Sequence, residues 1–317
     1  MKDITIPEAP VLLITFNRPD YTIQVLEKIR EAKVKRLYIA NDAPRKENQV
    51  DEKAREEIKA LIASKVDWEC ELYTLFQEKN LGCGWGPATA ITWAFENEDR
   101  LIILEDDCVP SLAFFAYCDL MLEMYKNDTR IWLISGRSHQ SNSRFFEKQD
   151  YIFSHYGHSL GWATWKRCWQ HFDMRMSDMH DFIKMGGALN VLSSKEEGSF
   201  YNKKYKKLIE DKNLETHVWD YQFGYTKLKN GGLSIVPAKN LIHNIGIIGT
   251  HYSGKANKLT NMPAVENFKV EKHPKFVIIN KTYEKLHFNS HIKKIMGASP
   301  LYKRVFRKIK RILVCKK

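Results

Sequence analysis

The sequence predicts an α/β fold built on an open, mostly parallel sheet flanked by helices, and three observations carry that expectation. Short apolar runs alternate with helical patterns through the first third of the chain, at the spacing of parallel βαβ units. The fourth run is continuously apolar, as a central strand covered on both faces would be. The runs also end in polar residues, and open α/β sheets bind ligands at the carboxyl ends of their strands.

Each element has its own signal. Val11–Thr15 reads as a buried strand, followed by a helix from about Pro19 to Ala32 that places Ile23, Leu26 and Ile29 on one face. Arg36–Ala40 is a second strand ending at Asn41 and Asp42. Residues 51–64 form a charged helix with Ile58, Leu61 and Ile62 inward, and Glu71–Phe76 is a third strand. A glycine-rich loop, Gly82–Gly86, leads to a helix from Pro87 to about Glu98, and Leu101–Leu104 is the fourth strand. The second half is less regular. It offers a helix from Ser111 to about Asn127, a strand at Ile131–Ser135 and an irregular aromatic stretch, Gly157–Phe172. A lysine-rich helical segment near 199–211, a helix from about Thr216 to Lys229 and a short strand at Leu233–Val236 follow. With no repeat and no linker, the expected division is one two-lobed domain over 1–255 (halves 1–135 and 136–255), an extension over 256–302 and a basic tail over 303–317.

Composition narrows the function classes. The 317 residues are 44% hydrophobic and 28% charged, which excludes disordered and collagen-like chains. Six scattered cysteines form no CxxC pair, so a reducing compartment is expected rather than a disulfide framework or zinc knuckle. The first residues hold no apolar core and no run approaches a membrane span, so the expected location is cytoplasmic. The net charge of +12 would suggest nucleic acid, but eight basic residues and no acid lie in 303–317. That leaves 42 basic against 38 acidic residues in 1–302, a balance of +4, and argues against a nucleic-acid groove.

Glu105-Asp106-Asp107, at the tip of the fourth strand, is the sharpest signal. Adjacent carboxylates repel unless a cation or donors separate them, and Mg²⁺ or Mn²⁺ would suit; a solvated acidic turn is the plainer alternative. Gly82-Cys-Gly-Trp-Gly86 has GxGxG spacing, not the GxGxxG of a dinucleotide fingerprint, and no GxxxxGK[ST] occurs. The loop could approach phosphate through backbone amides or simply start a helix.

Taken in order, Thr15-Phe-Asn-Arg-Pro19, Asn41-Asp42, Glu78-Lys-Asn-Leu-Gly82, Ile103–Pro110 and Gly161-Trp-Ala-Thr-Trp165 resemble the GT-A-fold glycosyltransferases, nearest to bacterial family 2-like nucleotide-diphospho-sugar transferases. The Glu-Asp-Asp variant is also similar to the N-acetylglucosaminyltransferase I group. The resemblance spans about residues 9–255. It implies a GT-A-type sheet with an irregular acceptor-side lobe, and a transferase moving sugar from a nucleoside-diphosphate sugar, UDP favoured, to a glycan or lipid-linked acceptor in cell-surface polysaccharide synthesis. It also implies roles. Thr15, Asn17 and Arg18 would line the nucleotide pocket, with Asp42 near base or ribose and Asn80 and Gly82 supporting. Glu105 and Asp106 would face ribose and sugar, and Asp107 would ligate Mn²⁺ or Mg²⁺ between the phosphates.

Inverting GT-A enzymes place an acidic base at a helix start beyond the acceptor loop. Asp220 in His217-Val-Trp-Asp220 matches that place, though an Asp there also suits a helix cap. His251, in the glycine-flanked loop Gly249-Thr-His251, is the candidate late metal ligand, against a purely structural duty. Trp162, Trp165 and Trp169 fall at i, i+3 and i+7, one helical stripe suited to a core; Trp162, at the glycine end, could instead be a sugar platform. His155 and His158 could point into the same cleft or be structural. In the tail, Val305, Phe306, Ile309, Ile312 and Leu313 alternate with cations, as in a helix that lies on an anionic membrane; a soluble basic end is the alternative. A non-catalytic nucleotide-sugar-binding module and, less well, a two-metal nucleotidyltransferase are the competing readings.

Overall fold

The computed structural model describes residues 6–140, 144–211, 218–246, 248–249, 252–253 and 262–293. Ten strands of these residues matter to the site. β1 (Val11–Thr15), β2 (Arg36–Asn41), β3 (Glu71–Phe76) and β4 (Arg100–Glu105) are followed by the short β5 (Cys108–Pro110), and then β6 (Ile131–Ser135), β7 (Tyr151–Ser154), β8 (Trp162–Trp165), β9 (Leu233–Pro237) and β10 (Ile242–Asn244). Eight of them form one sheet in the order β3-β2-β1-β4-β8-β6-β9-β7, while β5 and β10 pair separately. β3, β2, β1 and β4 run parallel, β8 is antiparallel to both β4 and β6, β9 is parallel to β6, and β7 closes the far edge antiparallel to β9. Six strands therefore share one direction, and the α/β expectation holds.

The helices follow from local chemistry. α1 (Pro19–Glu31) starts with proline in its first turn and buries Thr22, Val25, Leu26 and Ile29, an i, i+3, i+4, i+7 stripe. α2 (Gln49–Lys65) is capped by Asn48, whose side chain accepts from the Val50 and Asp51 amides, and it buries Ala54, Ile58 and Ile62. Leu61 is only half-buried. α3 (Gly82–Asn97) and α4 (Leu112–Met124) complete the helices of the first half of the chain. The second half adds the short α5 (Lys166–Trp169), α6 (Met179–Lys184) and α7 (Ala188–Val191), and then α8 (Lys195–Ile209), α9 (Asp220–Lys229) and α10 (Lys281–His287). None of the described helices is long and apolar enough to cross a membrane.

Two expectations are corrected. The glycine-rich segment is not a loop before a helix at Pro87; the helix begins at Gly82 and contains Pro87. The tryptophans are not a helical stripe either. Trp162 and Trp165 lie on β8, whose register pairs Ile103 with Trp162 on one side and Ser135 with Trp162 on the other. Three residues apart on a strand, the two rings point to opposite faces. Trp165 donates its Nε1–H to the Leu122 carbonyl of α4 at 3.2 Å, whereas Trp162 stacks on Trp219 with ring centroids 5.6 Å apart and meets Phe223 of α9. Trp169 stacks on Phe172 at 4.4 Å and bonds Thr92 of α3.

Residues 262–293 pack on this frame. Buried Glu284 accepts from the His155 amide at 3.2 Å, and Asp150 accepts from the Glu271 and Lys272 amides at 2.7 Å each. The five cysteines among the described residues are free thiols.

Candidate functional site

β4 emerges from the sheet at Glu105, and the turn Asp106-Asp107 leads into β5. β1 ends alongside it, because Ile14 is in register with Glu105, so Arg18 is delivered to the carboxylates by the loop after β1. The guanidinium binds Asp106 through two nitrogens and lies 3.2 Å from the Asp107 Oδ2, with its plane over the Tyr21 ring. Burial alone would weaken the Arg18 charge, but Asp106 and Asp107 outweigh it and hold the guanidinium firmly protonated. Asp106 is buried; desolvation pushes its carboxyl up to about 6 even though Arg18 pulls the other way.

Arg18 offsets one of three adjacent negative charges. Glu105, half-buried, has no hydrogen-bond or ion-pair partner among the described residues, and burial together with Asp107, Asp106 and Asp220 pushes its carboxyl up to about 8. Asp220, from the start of α9, is one of the acids that raise Glu105. Asp220 is exposed and is the first residue of that helix; the N-cap position belongs to Trp219, which makes no capping bond. The other wall holds Asn244 of β10, whose Nδ2 lies 3.3 Å from the Asp107 Oδ1, while the Ile245 amide bonds the Asp107 carbonyl at 2.9 Å. Gly246 presses against the Asp107 carboxylate so closely that a Cβ there would lie 2.3 Å from Oδ2. Glu105 and Asp107 are oxygen donors of the kind that Mg²⁺ and Mn²⁺ take, and a cation there would draw the Glu105 carboxyl back to its charged form; among the described residues no third acid or histidine lies within ligating range of both.

The other expected nucleotide residues lie on the same edge with their polar atoms engaged in the scaffold. The buried Thr15 hydroxyl donates to the Ala40 carbonyl and accepts from Asn41, both at 3.0 Å. Asn17 donates to Asp51 at 2.7 Å, a buried carboxylate that also holds Arg45. The Arg45 contact, working against desolvation, keeps the Asp51 carboxyl down at about 2. Asp42 acts across the gap as a cap for α3. Its carboxylate accepts the Leu81 and Gly82 amides at 2.9 Å, and Asn80 ties the Ala43 carbonyl at 2.6 Å beside it. Burial outweighs those amides and leaves the Asp42 carboxyl above its ordinary range.

Trp162 does not provide a sugar platform. It is 0% exposed, with one face against Trp219, because it is the strand residue joining β4 to β6. Trp85, near the start of α3, is 37% exposed. His251 lies outside the described residues. The sequence reading also passed over Lys204 of α8. Its amine sits 3.2 Å from the centroid of the Tyr221 ring, and burial lowers it to about 7 while Asp220 opposes the shift. A lysine-rich helix looks solvated in sequence, and only the fold shows which of its lysines turns inward.

No protein-family model and no curated protein matches the chain. Solved structures do align with it, among them UDP-glucose pyrophosphorylase complexed with UDP-glucose, at 9% identity over 52% of this chain and 79% of that one. The TM-score of 0.29 is too low for that likeness to carry an argument.

Proposed function

We propose that the chain is a GT-A-type glycosyltransferase that moves sugar from a nucleoside-diphosphate sugar, UDP favoured, to a hydroxyl of a glycan or lipid-linked acceptor. The observation that carries this reading is the excess of carboxylate at the carboxyl end of β4, where Glu105 and Asp107 remain after Arg18 has offset Asp106 and where Asp220 of a separate helix adds to the repulsion on Glu105. A cation-seeking cluster opposite an exposed acid is what diphosphate departure and acceptor deprotonation together require.

In this reading Glu105 and Asp107 hold Mn²⁺ or Mg²⁺, which when bound offsets the charge of the departing diphosphate. Arg18 fixes Asp106 and Asp107 so that their oxygens do not swing away. Asn17, Asp42, Asn80 and Gly82 shape the nucleotide side of the edge. Asp220 accepts the acceptor hydroxyl proton as that oxygen bonds to the anomeric carbon, and the bond from that carbon to the diphosphate oxygen breaks, with inversion. The basic tail, 303–317, would hold the enzyme against an anionic membrane where a lipid-linked acceptor resides.

Calorimetric titration of UDP, GDP, ADP and TDP, with and without Mn²⁺, tests the donor side. One diphosphate should bind in the presence of metal only, and Asp107→Asn should abolish that binding. Asp220→Asn should leave nucleotide affinity within about twofold and lower turnover by about 10²–10⁴. A folded wild-type protein that binds none of the four would leave a nucleotide-independent module and refute the transferase.

A further inference from the structure

We propose that His139, His158 and His291, with His287 beside them, form a second metal site, for a borderline divalent cation of the zinc class. The cluster lies apart from Glu105–Asp107. His139 follows β6 and His158 precedes β8, so both sit toward the carboxyl end of β6, with β8 between that strand and β4. His287 ends α10, and His291 lies one turn on, where the helix widens to a π turn over Phe288–Ile292. Such turns recur at functional sites.

One ligating nitrogen from each of His139, His158 and His291 lies within 4.8 Å of the others. Zinc–nitrogen bonds of about 2.0–2.1 Å in a tetrahedral site put their nitrogens about 3.4 Å apart, which small ring rotations would reach. The rings already crowd together: His139 and His291 have centroids 3.7 Å apart, His139 and His158 4.4 Å, and His287 and His291 5.0 Å. His287 is 1% exposed and His291 7%. The Nε2 atoms of His139 and His158, and both ring nitrogens of His287, are buried without a hydrogen-bond partner among the described residues. Buried polar groups left unsatisfied are costly, and four such nitrogens in one place need an explanation. A bound cation supplies one.

The chemistry selects the ion. Among the described residues the three nitrogens come with no carboxylate, a donor set for zinc, cobalt, nickel or copper rather than Mg²⁺. Buried Arg137, two residues before His139, puts positive charge alongside the rings, which opposes any cation and leaves only strong metal–imidazole bonds able to hold one. The supporting frame is built in. Glu284, one turn before His287 on the same helix face, bonds the His155 Nδ1 at 3.0 Å, and Gln140 bonds Ser290 at 2.9 Å. These contacts dock the 281–293 segment against the turns that carry His139 and His158. The ion would staple three distant parts of the chain.

The test uses the full-length, tag-free protein after chelation and dialysis, with Zn²⁺ titrated by calorimetry and Co²⁺ read by its ligand-field spectrum. One equivalent should bind, raise Tm and give a nitrogen-dominated spectrum. His139→Gln and His291→Gln should each weaken Zn²⁺ at least tenfold, while Asp107→Asn leaves it unchanged. Equal affinity in wild type and both histidine variants, or loss through Asp107→Asn alone, overturns the proposal. If the histidine variants fail to fold, X-ray absorption at the zinc edge of the wild type decides: imidazole nitrogens support the site, and an oxygen-dominated shell overturns it.

Discussion

Arg18 shows how one side chain can offset part of an acidic cluster. It is 88 residues from Asp106, yet it takes both oxygens of that buried carboxylate and approaches Asp107. Removing one partner of a buried pair leaves an uncompensated charge, at a cost of about 3–5 kcal/mol. Arg18→Met should therefore lower Tm by about 6–10 °C at pH 7, converting at about 2 °C per kcal/mol for a chain of this size. Arg18→Lys should recover only part, because an ammonium cannot span two oxygens in a fork. Thermal melts of both variants check this. The family resemblance led to the expectation that Arg18 lines a nucleotide pocket; its contacts with Asp106 and Asp107 are long-range, and no local pattern displays them. Lys204 was illegible for the same reason. Its folded-state proton affinity, at about 7, lies below the ordinary lysine value of 10.5 because burial outweighs the attraction of Asp220. Between pH 7 and 10.5 the unfolded chain binds the extra proton, so stability rises with pH through that window. Lys204→Met should raise Tm most at pH 7 and below, and the gain should fade toward pH 10.5. A pH series of melts that shows a constant difference would contradict this.

At the scale of elements, α3 and β8 show where local rules lose to tertiary context. Pro87 and three glycines argue for a loop at 82–86, yet the Asp42 carboxylate, held at the end of β2, accepts the Leu81 and Gly82 amides and starts the helix there. Gly86 is part of that fit, since a Cβ would lie 3.3 Å from the Asp42 Oδ2. Asp42→Ala should cost about 1–2 kcal/mol, the range of a lost helix cap, seen as a lower urea midpoint with an unchanged m value. Asp42→Asn keeps an acceptor and should lose less. For β8, the helical spacing of the three tryptophans was real but misleading. Gly161, at φ +66°, turns the chain into the gap between β4 and β6, and two neighbouring strands supply backbone partners that a helix would forgo. β1, β2 and β4 were legible because buried parallel strands are apolar; β3, exposed over Glu71–Thr74 at the sheet edge, was legible only as a short β-rich run in the strand–helix alternation. Their order in the sheet was not, since sequence does not show which edge a crossover takes.

For the whole molecule, most of the net charge is concentrated in the sequence of 303–317. The net +12 falls to +4 once 303–317 is set aside, so the described body offers little long-range attraction to a polyanion. The extension was unreadable in sequence because its anchors, Glu284 to His155 and Asp150 to Lys272, join segments more than a hundred residues apart. The tail reads the other way: eight cations and no acid, with apolar residues between them, need no distant partner to act on a surface. Each basic residue near an anionic leaflet contributes about 1 kcal/mol at low salt, and the apolar residues add burial that salt does not screen. Deleting 303–317 should therefore abolish co-sedimentation with phosphatidylserine vesicles while leaving the melting curve unchanged. The full chain should bind neutral phosphatidylcholine vesicles far more weakly, and raising salt to about 0.5 M should remove most, though not all, of its binding to anionic ones. Equal vesicle binding by the truncated and full chains would move the membrane contact into the folded body, where the near balance of charge gives no physical reason to expect it.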